Sequence, residues 1–149
     1  MSQSSELKQV LRGVMLFAGL SDTELETIAA ICKERKLGRG EVLAEQGAPG
    51  DDFFVVTNGF LEISVAGGDN ASQVLVNLGK GQIIGEMALI DQGPRSATVR
   101  AVSEAVVQVI HRGDFEALCD KNTRIGYIVM KDIAADLSFK LRHRNMTIG

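Results

Sequence analysis

The sequence predicts an α+β, mainly β fold: an antiparallel β-sandwich or barrel with helices at both ends of the chain. Three observations lead there. A helix-capping signature precedes residues at helical spacing near the N-terminus. From Leu37 to His111, short apolar runs alternate with glycine-rich turns. After Thr123, apolar residues return every four positions. Many short strands joined by such turns favour two packed antiparallel sheets or a barrel over a parallel sheet with crossover helices.

Taken in order, the first helical stretch lies near Glu6–Val14, where Leu7, Val10, Leu11 and Val14 share a face. Ser21-Asp-Thr-Glu24 reads as a capping box, in which the serine hydroxyl and the glutamate satisfy each other's backbone N–H groups. Leu20 and Leu25 are placed as the hydrophobic staple across it. The helix that follows is expected to reach about Lys36, with Leu25, Ile28, Ala29 and Cys32 on one face. Strands are expected at Val42–Ala44, Phe53–Thr57, Leu61–Val65, Gln73–Leu78, Ser96–Val102 and Val106–His111. The turn signals between them are Gly38 and Gly40, Gly47-Ala-Pro-Gly50, Asn58-Gly59, Gly67-Gly-Asp-Asn70, Gly79 and Gly81, and Gly93-Pro94. Asn58-Gly59 between two apolar runs is a tight-hairpin signal. Asp114–Cys119 is a short helical turn. The last helix covers about Thr123–Arg144, with a stripe of Ile125, Val129, Ile133, Leu137 and Leu141 that Ile128 and Ala134 widen. Lys140, Arg142 and Arg144 near its end complement the helix dipole. The chain thus divides into an N-terminal helical flank (1–36), a β-domain (37–119) and a C-terminal helical region (120–149).

Composition narrows the function. At 149 residues with 45% hydrophobic content, the chain can bury a full core and is not disordered. No apolar run reaches the roughly 18 residues a membrane span needs. Arg12 interrupts the apolar N-terminal stretch, so neither a signal peptide nor a membrane segment is expected, and a cytoplasmic location follows. Sixteen basic against nineteen acidic residues give a net charge of −3, the wrong sign for a chain dominated by nucleic-acid contacts. Cys32 and Cys119 read as reduced, partly buried thiols. The two histidines, His111 and His143, form no metal-ligand spacing, and no nucleophile–base signature of a hydrolase is present. An enzyme is not expected. His111, at a strand end, reads as a surface or hydrogen-bonded structural residue.

The most informative segment is Gly85–Thr98, G-E-M-A-L-I-D-Q-G-P-R-S-A-T. Glu86 sits at a helix start and Arg95 nine positions later, just after a Gly-Pro turn. Backbone N–H groups at a helix start favour an anion. The planar fork of Arg95 matches two phosphate oxygens. An ionised Glu86 accepts from a hydroxyl. Together they suit a sugar joined to a phosphate, while Gly85 lets the backbone approach without a side chain in the way. Each residue singly has a plainer role: Gly85 a turn glycine, Glu86 an acid on a helix dipole, Arg95 a solvated charge. Only their joint spacing favours a site.

This stretch resembles the phosphate-binding cassette of cyclic nucleotide-binding domains, the module of bacterial catabolite-activator-type regulators and protein kinase A regulatory subunits. L-G-R-G-E-V-L-A-E-Q-G-A-P-G-D, F-F-V-V-T-N-G-F-L-E-I and Ile110–Leu118 follow the family's order, and the flanking helices match as well, so the resemblance covers nearly the whole chain. Ile84 departs from it, where the family often carries an aromatic residue. The resemblance implies a jelly roll, or double-stranded β-helix, that binds cyclic AMP without chemistry. It implies that Glu86 binds the ribose 2′-hydroxyl and Arg95 the cyclic phosphate. Backbone groups of Gly85, Met87 and Ala88 line the turn, Ser96 supplies a hydroxyl near phosphate or purine, and Ala97 keeps the wall small. Val74 and Val76 are weaker candidates for contact with the base, and Leu89 is expected in the core.

The resemblance also implies that ligand draws the C-terminal helix over the nucleotide, and that this helix can support a homodimer. Alternatives are the effector domain of a transcription regulator, a cyclic GMP-binding module, and a degenerate module kept for protein interaction. Only Asn145–Gly149 follow the last helix, so no DNA contact is expected from this chain. An Arg-Arg-x-Ser/Ala kinase-inhibitor segment is missing too. The downstream protein partner is not specified by the sequence.

Overall fold

Ser21 opens a helix as its side chain dictates. The hydroxyl accepts from the Glu24 N–H at 3.2 Å, and the Glu24 carboxylate accepts from the Ser21 N–H at 2.9 Å. In the computed structural model, which describes residues 3–66, 72–91 and 93–148, this capping box starts helix α2 (Asp22–Ile31). It is preceded by α1 (Gln3–Arg12) and a 3₁₀ turn, Met15–Phe17. Both staple residues, Leu20 and Leu25, are buried.

The helix ends at Ile31, five residues earlier than expected. Cys32–Leu37 is instead a strand, β1, that pairs antiparallel with β8 (Ala105–Ile110), Cys32 opposite Ile110 and Leu37 opposite Ala105. Lys33, Glu34, Arg35 and Lys36 would tolerate a helix, but the β8 ladder claims them, and tertiary pairing overrides that weak preference. β1 is an edge strand, and its exposed charges keep that edge from pairing with another chain. Cys32 therefore sits at a helix–strand junction rather than on a helical face, its thiol against the Ile28 carbonyl. Cys32 and Cys119 are free and half-buried. Burial pushes their thiols up to about 12 and about 11, with Asp120 and Glu116 adding repulsion at Cys119. Neither is a reactive thiolate near neutrality.

The remaining strands are β2 (Val42–Ala44), β3 (Phe53–Asn58), β4 (Leu61–Ala66), β5 (Ser72–Leu78), β6 (Ile83–Ile84) and β7 (Thr98–Ala101). They form two four-stranded antiparallel sheets, β1-β8-β3-β6 and β2-β7-β4-β5. The short β6, which no sequence run announced, pairs with β3. Asn58-Gly59 is a turn but not a hairpin. β3 and β4 belong to different sheets, so this turn carries the chain from one layer to the other, and its Gly59 Cα lies against the Ala105 backbone. The hairpin is made by β4 and β5, whose connection, 67–71, lies outside the described residues along with the Gly67-Gly-Asp-Asn70 signal.

β3 is buried along both faces, and its alternation sorts the core in two. Phe54 and Val56 join Leu37, Leu61, Ile84, Val99 and Val107 between the sheets. Phe53 and Val55 face the other way, into a cluster with Leu11, Phe17, Leu25, Ile28, Phe115 and Ile125. That second cluster holds the helices to the β1-β8-β3-β6 sheet.

Two helices close the chain, α3 (Arg112–Lys121) and α4 (Thr123–Ile148). α3 is longer than the short turn expected. In α4 the stripe splits: Ile125, Val129 and Ile133 are buried, but Leu137 and Leu141 are 38% and 59% exposed, and Ala134 is exposed too. Because α4 runs to Ile148, Lys140, Arg142 and Arg144 fall inside it rather than at its end. The Arg124 guanidinium at its first turn pairs with Glu24 and donates to the Gly19 carbonyl at 3.1 Å. Glu24 is held ionised below the ordinary carboxylate range, chiefly by the Ser21 N–H, against its own burial and with help from Arg124. One side chain thus caps α2 and pins α4. Among the described residues, no helix is long and apolar enough to cross a membrane.

Candidate nucleotide site

Gly85 follows β6 with φ +80° and ψ 17°, a left-handed conformation that glycine adopts without strain. From it the chain enters a single 3₁₀ turn, Glu86–Leu89, closed by the Ala88 N–H donating to the Gly85 carbonyl at 3.0 Å. Leu89 points inward and belongs to the same buried cluster as Phe115, Ile125 and Val129, so the turn is tied to the helical layer. Met87 is 42% exposed and Glu86 half-buried at the front of the turn.

Arg95 comes back to Gly85 from the far end of the segment. Its backbone is fixed first: the Gly47 N–H donates to the Arg95 carbonyl at 2.8 Å, and the Arg95 N–H donates to the Ala48 carbonyl at 2.9 Å. The side chain then runs past Gly50 to Gly85. A Cβ at Gly50 would lie 2.6 Å from Nη2, and one at Gly85 would lie 2.7 Å from Nη1. Both positions therefore need to be glycine for the guanidinium to sit there. Nη2 donates to the Asp52 carbonyl at 2.8 Å, and the group stacks over the Phe54 ring at 5.5 Å from its centroid. The result is a half-buried cation with one end tied back and its fork at a bare backbone corner.

Gly85, Glu86 and Arg95 are thus brought together as their spacing required. Ser96 is exposed and Ala97 half-buried; both lie in the bend before β7, which begins only at Thr98. Thr98 Oγ1 accepts from the Gln46 N–H at 3.0 Å, binding this bend to the 45–48 turn. Val76 is exposed on β5, and the Val74 side chain lies outside the described residues. Four residues that shape the corner escaped the sequence reading of the site: Gly50, Asp52, Phe54 and His111. Gly50 alone was signalled, by the Gly47-Ala-Pro-Gly50 turn. His111 Nδ1 lies 2.5 Å from Asp52 Oδ1, across from it at the end of the β3–β8 ladder.

A separate concavity of about 380 Å³ lies between α2 and α3, lined by Thr27, Ile31, Asp114, Leu118 and Lys121. Its described lining contains no cassette residue and no arginine. Among the described residues, no cluster of histidine, cysteine or carboxylate could hold a metal ion.

Residues 34–122 match the family model described as the cyclic nucleotide-binding domain. The chain is 35% identical over 123 residues to a cyclic nucleotide-gated potassium channel of Mesorhizobium japonicum, covering 83% of this chain and 33% of the channel. It therefore spans about a third of the length of that relative. Among solved structures, the N-terminal domain of a transcriptional regulator from Streptomyces coelicolor superimposes with a TM-score of 0.83 at 30% identity, covering 90% of this chain and 93% of that one. The regulatory domain of Toxoplasma gondii protein kinase A, solved with cyclic AMP, gives 0.73 at 31% identity, covering 77% of this chain and 44% of that one.

Proposed function

The chain belongs to the cyclic nucleotide-binding domain family, and we propose that it is a regulatory receptor module for cyclic AMP that carries out no reaction itself. The observation that carries this is the Arg95 guanidinium seated at the Gly85 corner, where the Gly50 and Gly85 backbones leave it room. In this reading Arg95 holds the cyclic phosphate and Glu86 takes the ribose 2′-hydroxyl. Backbone groups of Gly85, Met87 and Ala88 line the phosphate, and Ser96 and Ala97 border the base. A charge-assisted pair of hydrogen bonds from one planar fork suits an anion with two equivalent oxygens.

The signal then passes to α4. Leu89 shares its buried cluster with Ile125, Val129 and Ile133, so a shift of the 86–89 turn changes the packing available to that helix. Close-packed interiors move between discrete arrangements rather than deforming smoothly. The exposed Leu137 and Leu141, one turn apart beyond Ile133, continue the buried stripe and give the outer half of α4 an apolar strip for the bound nucleotide or for a second copy of the chain. A cytoplasmic location accords with two unpaired thiols.

A thermal melt tests this on protein unfolded and refolded to strip bound ligand. At a hundredfold excess over the dissociation constant, linkage adds about 2.7 kcal/mol. The melting temperature should rise by roughly 5–10 °C for a domain of this size. Cyclic GMP at the same concentration should raise it less. Glu86 and Arg95 meet the same ribose and phosphate in both nucleotides, and only the Ser96 hydroxyl is available to the guanine amino group. A melt unmoved by millimolar cyclic AMP contradicts the receptor function; a larger shift with cyclic GMP reassigns the ligand.

A further inference from the structure

The β3–β8 ladder pairs Phe53 with Ile110, and one step past it Asp52 and His111 face each other. A carboxylate only accepts, so it is the His111 Nδ1–H that donates to Asp52 Oδ1, at 2.5 Å. His111 is itself held in place: it is the N-cap residue of α3, and its carbonyl accepts from the Phe115 N–H at 3.0 Å. On the other side of the same residue, the Asp52 carbonyl accepts from Arg95 Nη2 at 2.8 Å. Asp52 therefore carries a full negative charge on the very residue that touches the phosphate-binding guanidinium, and that charge is turned away from it.

This arrangement has a competitor built in. Carboxylate and guanidinium form the strongest ion pair available to side chains, with two parallel hydrogen bonds. The carboxylate that meets His111 and the carbonyl that meets Arg95 belong to one residue, and a change of χ1 between staggered wells is the motion that would turn the carboxylate from the first partner toward the second. Were the carboxylate to move, it would occupy the fork that a phosphate needs and neutralise its charge.

We propose that His111 is a positioning residue that keeps the anion site open by parking the Asp52 carboxylate away from Arg95. The imidazole replaces the guanidinium as the carboxylate's partner, and the Asp52 carbonyl alone orients the fork. This rests on Arg95 being the phosphate ligand.

The test uses His111→Ala, Asp52→Asn and the double variant of the full chain. Removing His111 should weaken cyclic AMP binding about tenfold, because only the fraction of molecules with a free fork is competent. Asp52→Asn, which keeps the carbonyl that meets Arg95, is the reference, and the double variant should bind as Asp52→Asn does and several-fold tighter than His111→Ala, since no carboxylate is left to compete. A residue that merely supports the fold would not be rescued by deleting its neighbour's charge. A second readout needs no ligand: the Arg95 Nε–H resonance of the free protein should shift in His111→Ala and return in the double variant. If the parent fails to bind cyclic AMP, the receptor function falls, and the Arg95 resonance alone decides this proposal. Parental affinity in His111→Ala, a double variant as weak as His111→Ala, or an unmoved Arg95 resonance overturns it.

Discussion

The two faces of β3 look out on two different kinds of core. On one, Phe54 and Val56 sit between sheets whose backbones are fixed by antiparallel hydrogen-bond ladders. On the other, Phe53 and Val55 meet helices held by side chains alone: Phe53 edge-on to Phe115 at 5.5 Å, Leu89 from the cassette, and the buried first half of α4. The sheet interior has little freedom to rearrange without breaking backbone hydrogen bonds, whereas the helical layer can slide. The Arg95 corner lies where the two meet, with Phe54 beneath the guanidinium and Leu89 leading into the helices. In the function proposed above, a ligand at this corner would rest on the sheet face and be felt on the helical one.

Neighbouring substitutions in β3 separate the two. Phe53→Ala should cost about 3–5 kcal/mol of stability, since it empties a fully buried site next to Phe115. Its main effect should be faster hydrogen exchange in α3 and α4, with the β4–β5 ladder still protected. Phe54→Leu, which keeps most of the volume, should cost less than about 1.5 kcal/mol of stability. It should still weaken cyclic AMP binding by about threefold, because it removes the ring under Arg95. Equal exchange in both layers for Phe53→Ala would erase the distinction between them.

Glu24 offers the smallest and most selective perturbation. Glu24→Ala removes a capping interaction and the tie to α4, at about 1 kcal/mol. Arg124 is largely exposed and simply returns to water, so no buried charge is stranded. The same group sets a pH dependence. Its carboxyl ionises at a lower pH in the folded chain than in the unfolded one. The stability it provides is therefore complete above the ordinary carboxylate range and disappears as pH falls through the folded value. On acidification α4 exchange should rise before that of the sheets in the parent, and this early phase should be absent in Glu24→Ala.

Local chemistry made much of this architecture readable from residue order. The capping box, the strands from β2 to β5, and the buried start of α4 each depend on neighbours within a few positions, and each was expected where it stands. β1 was not, because nothing in Cys32–Leu37 distinguishes a charged helix end from an edge strand until β8 lies beside it. Asn58-Gly59 marks a turn correctly but cannot say which sheet the next strand joins. The stripe of α4 is continuous in sequence, yet the core it packs on ends at Ile133. For the site, Gly85, Glu86 and Arg95 stand in one segment and could be read together. Gly50, Asp52 and Phe54 reach the same guanidinium from one other segment of the chain, and His111 reaches Asp52 from yet another, so only the fold assembles them.

Isothermal titration calorimetry of cyclic AMP into the parent and into Arg95→Ala tests the central claim most directly. The parent should bind one nucleotide per chain. Arg95→Ala should lose two charge-assisted hydrogen bonds of ~1.5–3 kcal/mol each, weakening binding by about a hundredfold or more while its ligand-free melt stays near the parent's. Equal affinity in the two proteins would place the nucleotide elsewhere and contradict the account.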